Sequence, residues 1–256
     1  MVRGLDVFKD WFKGFPGSYI IIGGTACERQ FADRGLAFRA TKDIDLVLVI
    51  EALDSVFVKQ FWEFIKAGNY NQTQVDEKER KYYRFANPAD ESFPVLLELF
   101  SKRPDVIREI EGMHLTPIPV EEDLSSLSAI LMDEDYYKFT IENTQQVEEL
   151  PVASAETLIA LKVSAYLNML EREKAGEKID SKHIKKHKND VLRLAVTLTP
   201  DSKIKTYDKI KADISEYIRL MKEEKPDVKA MFKEMGIDGV ESETLLAQLQ
   251  STFLSE

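Results

Sequence analysis

Two aspartates stand one residue apart in an otherwise apolar run, Asp43-Ile44-Asp45-Leu46-Val47-Leu48. Alternate residues of a strand share a face, so Asp43 and Asp45 point the same way, with Val47 and Val49 beyond them. Ile44, Leu46, Leu48 and Ile50 fill the opposite face. Neighbouring carboxylates repel one another and lose hydration when covered. A hard divalent cation answers both costs, and Mg²⁺ (or Mn²⁺) is commonly held by one or two carboxylates together with substrate phosphates. A bare Asp-x-Asp fits a solvated strand start as well. Gly23-Gly24-Thr25, which closes the apolar Tyr19-Ile20-Ile21-Ile22, adds a second feature. Glycine lets a backbone approach a ligand closely, and a helix N-terminus offers free N–H groups and partial positive charge to a phosphate. Thr25 supplies a hydroxyl. Alone, the triplet reads as a plain strand-to-helix turn, and it matches neither GxGxxG nor the Gly-Lys-Ser/Thr ending of a P-loop.

Two further residues carry charge where apolar neighbours make it costly. Glu98 sits inside Phe93-Pro94-Val95-Leu96-Leu97-Glu98-Leu99-Phe100, and an isolated glutamate there needs a partner, water or a metal. An arginine such as Arg84 is one partner available to it. Lys162 lies among Leu158, Leu161, Ala165 and Leu167. Its ammonium either reaches solvent along its stem or meets a phosphate as a point charge. His183 and His187 are four apart, but Ile184 stands where a metalloprotease motif has its glutamate, and the flanking lysines repel a cation. The run Lys182–Lys188 reads instead as a solvated face or an RNA-contacting patch.

The elements that must position these groups follow from periodicity. Residues 5–14 predict an amphipathic helix ended by Pro16 and Gly17. Residues 18–22 predict a strand, with a turn after it and a helix from about Thr25 to a stop at Gly35. A strand covers 43–50, and a helix follows with Asp54 or Ser55 as N-cap and Gly68 at its end. Residues 81–86 and 93–100 predict strands, and 113–120 an extended edge piece with prolines. After about Pro151 the pattern turns helical, with Ser154 capping one helix, another spanning 183–198, and further helix to the terminus. The fold class is therefore α/β (α+β), a mixed sheet with flanking helices followed by a C-terminal helical domain, divided as 1–150 and 151–256. For the two halves of the glycine–aspartate feature to meet, residues 28–42 must fold back.

The 256 residues carry a net charge of −10, with 44% hydrophobic and 31% charged residues. This composition is that of a globular protein, and the charge argues against a general DNA-coating role. No apolar run reaches the ~20 residues of a membrane span, and the N-terminal residues lack a secretory h-region. Cys27 is the single cysteine, so an intrachain disulfide and a cysteine-rich zinc site are excluded. A cytoplasmic location is the expectation.

The glycine turn followed by an Asp-x-Asp strand resembles the nucleotidyltransferase fold of the DNA polymerase β type. The run "RATKDIDLVL" is similar, more narrowly, to AbiE-type toxins of abortive-infection and type IV toxin–antitoxin systems. The resemblance covers roughly residues 18–50 and 150–195. It implies a Mg²⁺-dependent transfer of a nucleoside monophosphate from an NTP to an acceptor hydroxyl, with the 3′ end of tRNA as one acceptor and a cognate antitoxin as a partner. It implies that Asp43, Asp45 and Glu98 hold the metal, with Glu98 as third ligand or base, and that Gly23, Gly24 and Thr25 bind the nucleotide. "SAETLIALK" matches a helix that carries a functional lysine, here Lys162. "KHKNDV" matches a segment whose last charged position is Asp190, although His187 stands where an aspartate is common. Without the resemblance, Asp190 reads as a helix-surface partner of Lys186. Transfer to a small molecule or a protein hydroxyl, and a non-catalytic nucleotide- or RNA-binding module, are the alternatives.

Overall fold

The computed structural model describes residues 2–70, 82–100 and 133–255; the expected extended piece at 113–120 lies outside them. It is a mixed α/β protein that clusters into two compact units. The first takes the described residues within Met1–Arg29, Arg39–Glu121 and Thr144–Ala153, and the second those within Gln30–Phe38, Glu122–Asn143 and Ser154–Glu256.

Among the described residues, the first unit is built on a six-stranded sheet. Its strands are β1 (Tyr19–Ile22), β2 (Asp43–Leu48), β3 (Tyr82–Ala86), β4 (Leu96–Phe100), β5 (Thr144–Val147) and β6 (Leu150–Ala153). They lie in the order β3-β4-β2-β1-β6-β5. β1 runs antiparallel to β2, β2 parallel to β4, and β1 parallel to β6. The antiparallel β1–β2 register sets Tyr19 opposite Leu48 and Ile21 opposite Leu46. By alternation those residues share the sheet face that lies away from Asp45. Helices α1 (Leu5–Phe12) and α3 (Ser55–Ala67) cover that face. Tyr19 meets Phe8 edge-on at 5.3 Å between ring centroids, and Phe12 packs on Phe57 and Phe64 at 5.7 and 5.3 Å. Phe85 of β3 reaches Phe61 and Trp62 of α3. Burying each such ring contributes about 1.5–3 kcal/mol, so this aromatic layer anchors the sheet's apolar side. Asp54 caps α3 by accepting a hydrogen bond from the Phe57 amide at 2.7 Å, and Gly68 closes its end.

The far edge of the sheet is the hairpin β5–β6. Its two turn residues, Glu148 and Glu149, both have positive φ (50° and 68°), as a type I′ turn requires. Glu148 accepts from Arg29 at 2.7 Å, and Glu149 pairs with Lys9 at 2.8 Å.

The second unit is helical: α4 (Glu134–Glu142), α5 (Ala155–Lys174), α6 (Ser181–Ala195), α7 (Asp208–Glu224), α8 (Lys229–Glu234) and α9 (Ser242–Leu254). Ser154, as expected, caps α5 through the Thr157 amide, and Asp180 caps α6 through Lys182. Its core gathers Tyr136, Phe139, Ile159, Val163, Met169, Val191, Leu194, Ile214, Tyr217 and Phe253, all buried. Among the described residues no helix is long and apolar enough to cross a membrane.

Candidate active site

Strand register assembles one row of side chains. Ile22 lies opposite Asp45, Asp45 opposite Glu98, and Glu98 opposite Arg84. Partners in register share a sheet face, and neighbouring strands are about 4.8 Å apart. Asp45 and Glu98, fifty-three residues apart in sequence, are therefore neighbours. Asp43 is on the same face one step along β2, opposite Leu96.

Glu98 is buried, and Asp45 is half-buried. Burial pushes the Glu98 carboxyl up to about 9, and Asp45 adds to the shift by repulsion and by a hydrogen bond shared between the two side chains. Asp43 acts in the same direction, while Arg84, its Nε 3.2 Å from Glu98 Oε1, pulls the value back down. The two carboxyls thus hold a proton between them, and the titration belongs to the pair. A divalent cation on hard oxygen donors would relieve the same repulsion, so the donor set fits Mg²⁺ or Mn²⁺. Among the described residues, no three His, Cys, Asp or Glu side chains form a metal-holding group. Asp45 and Glu98 are the carboxylates that the sheet sets side by side.

β1 runs straight into α2 (Gly23–Ala32), two residues earlier than the expected helix start at about Thr25. Gly23 makes the turn with φ +65°, and a Cβ built there would sit 1.6 Å from Asp45 Oδ2. A Cβ on Gly24 would lie 2.5 Å from Thr41 Oγ1. Neither position has room for a side chain, so the glycines are there to let the first turn of α2 touch the carboxylate strand. Thr25 is fully buried, and its hydroxyl donates to the Asp43 carbonyl at 2.5 Å. That bond ties the start of α2 to the start of β2. The chain between them folds back, and the amides of the α2 N-terminus lie beside Asp45. Sequence reasoning passed over Thr41, although it stands two residues before Asp43 in the "RATKDIDLVL" run. It named Arg84 only as one available partner for Glu98.

Lys162 and Asp190 both belong to the helical unit. Lys162 Nζ lies 2.9 Å from Asp190 Oδ2, and Arg193 Nη1 lies 3.2 Å from Oδ1. Asp190 is completely buried, and Lys162 is 6% exposed. The lysine therefore turns inward rather than reaching along its stem to water. Lys182, Lys185 and Lys186 are exposed on α6.

No protein-family model matches the chain, and no curated protein sequence matches it. Among solved structures, the chain is similar to the crystal structure of an antigenic nucleotidyltransferase-like protein from Paracoccidioides brasiliensis. The two share 12% identity with a TM-score of 0.47, over 96% of this chain and 90% of that one.

Proposed function

We propose that this protein is a divalent-metal-dependent nucleotidyltransferase. The observation that carries the proposal is the contact of Gly23 with the Asp45 carboxylate, in register with Glu98. It joins an anion-receptive helix start to a carboxylate pair whose mutual repulsion calls for a cation. In this reading Asp45 and Glu98 would hold Mg²⁺ or Mn²⁺, with Asp43 on the same face but outside the pair. When bound, such an ion neutralises phosphate charge and lowers the pKa of a coordinated hydroxyl. The bare backbone of Gly23 and Gly24 lets the nucleotide triphosphate approach the free amides of α2. Thr25, through Asp43, keeps helix and strand in place. The acceptor hydroxyl attacks the α-phosphorus, a new O–P bond forms, the bond to the β-phosphate oxygen breaks, and pyrophosphate leaves. Glu98 must first give up the proton it holds, and its carboxylate would then serve either as a metal ligand or as the base that takes the hydroxyl proton.

The resemblance of "RATKDIDLVL" to AbiE-type toxins extends the proposal to the 3′ end of tRNA as acceptor and to a cognate antitoxin as partner. The same resemblance gives Lys162 and Asp190 functional roles, which their own substitution tests separately from the sheet site. The deciding experiment incubates the protein with each α-labelled nucleoside triphosphate, Mg²⁺, and total tRNA or protein extract. Label transfer that Asp45→Asn abolishes supports the reading. A folded protein that binds nucleotide without a divalent ion and labels no acceptor points to a binding module and overturns it.

A further inference from the structure

We infer that Arg84 is a positioning residue for the metal-binding carboxylates, an inference that rests on the reading of Asp45 and Glu98 as metal ligands. The antiparallel β3–β4 register places Arg84 directly opposite Glu98, on the side away from Asp45. Its Nε is 3.2 Å from Glu98 Oε1. The carboxyl of Glu98 is thus held from both flanks, by the guanidinium on one strand and by the hydrogen bond shared with Asp45 on the other. The Glu98 side chain is 7% exposed and that of Arg84 20%, so water competes weakly for either. The contact is an ion pair, and a guanidinium stays charged beside a carboxyl this poorly hydrated. Without that ion pair, only the proton shared with Asp45 holds Glu98 in the row, and an arriving cation must displace that proton. Arg84 keeps Glu98 beside Asp45, so that an arriving divalent cation meets both ligands already aligned. Partners that orient a metal ligand in this way typically change metal affinity by about 10–100-fold when removed.

The test is direct binding of Mn²⁺, followed by electron paramagnetic resonance of the free ion and by calorimetry, in the full-length protein without nucleotide. Arg84→Met is expected to weaken Mn²⁺ binding about 10-fold or more, with the circular dichroism spectrum unchanged. Arg84→Lys keeps the charge but moves it; it carries the test should Arg84→Met not fold, and it is expected to bind with intermediate affinity. Asp45→Asn is the reference for a lost ligand. Affinity that stays the same or tightens in Arg84→Lys and Arg84→Met overturns the inference while leaving the metal site standing, since Arg84 would then be neutral or a competitor for the cation. Absence of Mn²⁺ binding in the unaltered protein overturns the metal site and Arg84's role with it.

Discussion

Replacing Glu98 by glutamine removes a strongly perturbed carboxyl of the sheet while keeping its shape. The ordinary value of 4.5 for Glu98 rises to about 9 in the folded chain. A raised value means that folding takes up a proton: the associated stability is complete below pH 4.5 and declines as pH rises, until it levels off near pH 9. Each pH unit in that window costs about 1.4 kcal/mol. At neutral pH, roughly two and a half units above the ordinary value, the penalty is about 3 kcal/mol. Glutamine takes up no proton and keeps the shape of the side chain. Melting in EDTA, followed by circular dichroism, should therefore give Glu98→Gln and the unaltered protein equal midpoints near pH 4.5. By neutral pH the variant should melt about 6–12 °C higher, taking about 2–4 °C per kcal/mol for a chain of this size. Groups away from the pair act on both proteins alike, so the difference between the curves reports the Glu98–Asp45 pair. Mn²⁺ should raise the melting point of the unaltered protein more than that of the variant. A difference that stays constant with pH, or a variant less stable at neutral pH, refutes the assignment of the penalty to this carboxyl pair.

Gly23→Ala puts a methyl group into Asp45 and forces a left-handed backbone on alanine; it should cost at least 1–2 kcal/mol of stability and remove label transfer, as read by melting and by the nucleotide assay. Asp190→Leu leaves the Lys162 ammonium buried without its carboxylate, at a cost of about 3–5 kcal/mol, whereas Lys162→Met combined with Asp190→Leu should recover most of that loss; denaturant unfolding of the single and double variants measures the coupling. Charge reversal at Lys182, Lys185 and Lys186 should weaken RNA binding and flatten its salt dependence without altering the melting point, and unchanged binding removes α6 as the RNA face.

Alternation alone made the shared face of Asp43 and Asp45 legible, because side-chain direction in a strand follows from position. The helix caps at Asp54 and Ser154 were legible for a similar reason, since they depend on residues a few places away. Periodicity did not name the partner of Asp45; only the family resemblance set Glu98 with it. Glu98 reaches it through a parallel pairing across a long stretch of chain, and nothing local in "VLLELF" names the strand beside it. Asp190 reads as a surface residue among lysines, and only the packing of α6 shows that its carboxylate is buried against Lys162. The hairpin β5–β6 escaped detection altogether. Its turn residues are Glu148 and Glu149 where Asn-Gly is the usual signal, and Pro151 stands in a strand with neighbours on both sides, a place where proline argues against a strand. Helix α4 likewise had no counterpart in the periodicity reading. The start of α2 at Gly23 rather than Thr25 reflects a left-handed turn that only contact with Asp45 demands.

That hairpin turn has a consequence for how the sheet comes apart. Two glutamates in left-handed conformations are held by an arginine and a lysine, so the outer edge relies on charge where most hairpins rely on backbone preference. The Lys9 pair holds Glu149 below the ordinary carboxylate range. Its contribution is therefore present at neutral pH and fades as acid protonates Glu149. Glu149 is 80% exposed on its side chain and Arg29 only 7%, so added salt screens the outer pair well before the inner one. Amide hydrogen exchange should then show a graded fraying: Thr144–Val147 exchanges faster as ionic strength rises, while β1 and β2 keep their protection. The carboxylate row sits three strands in from that edge, insulated from the first motions of the sheet by β6 and β1.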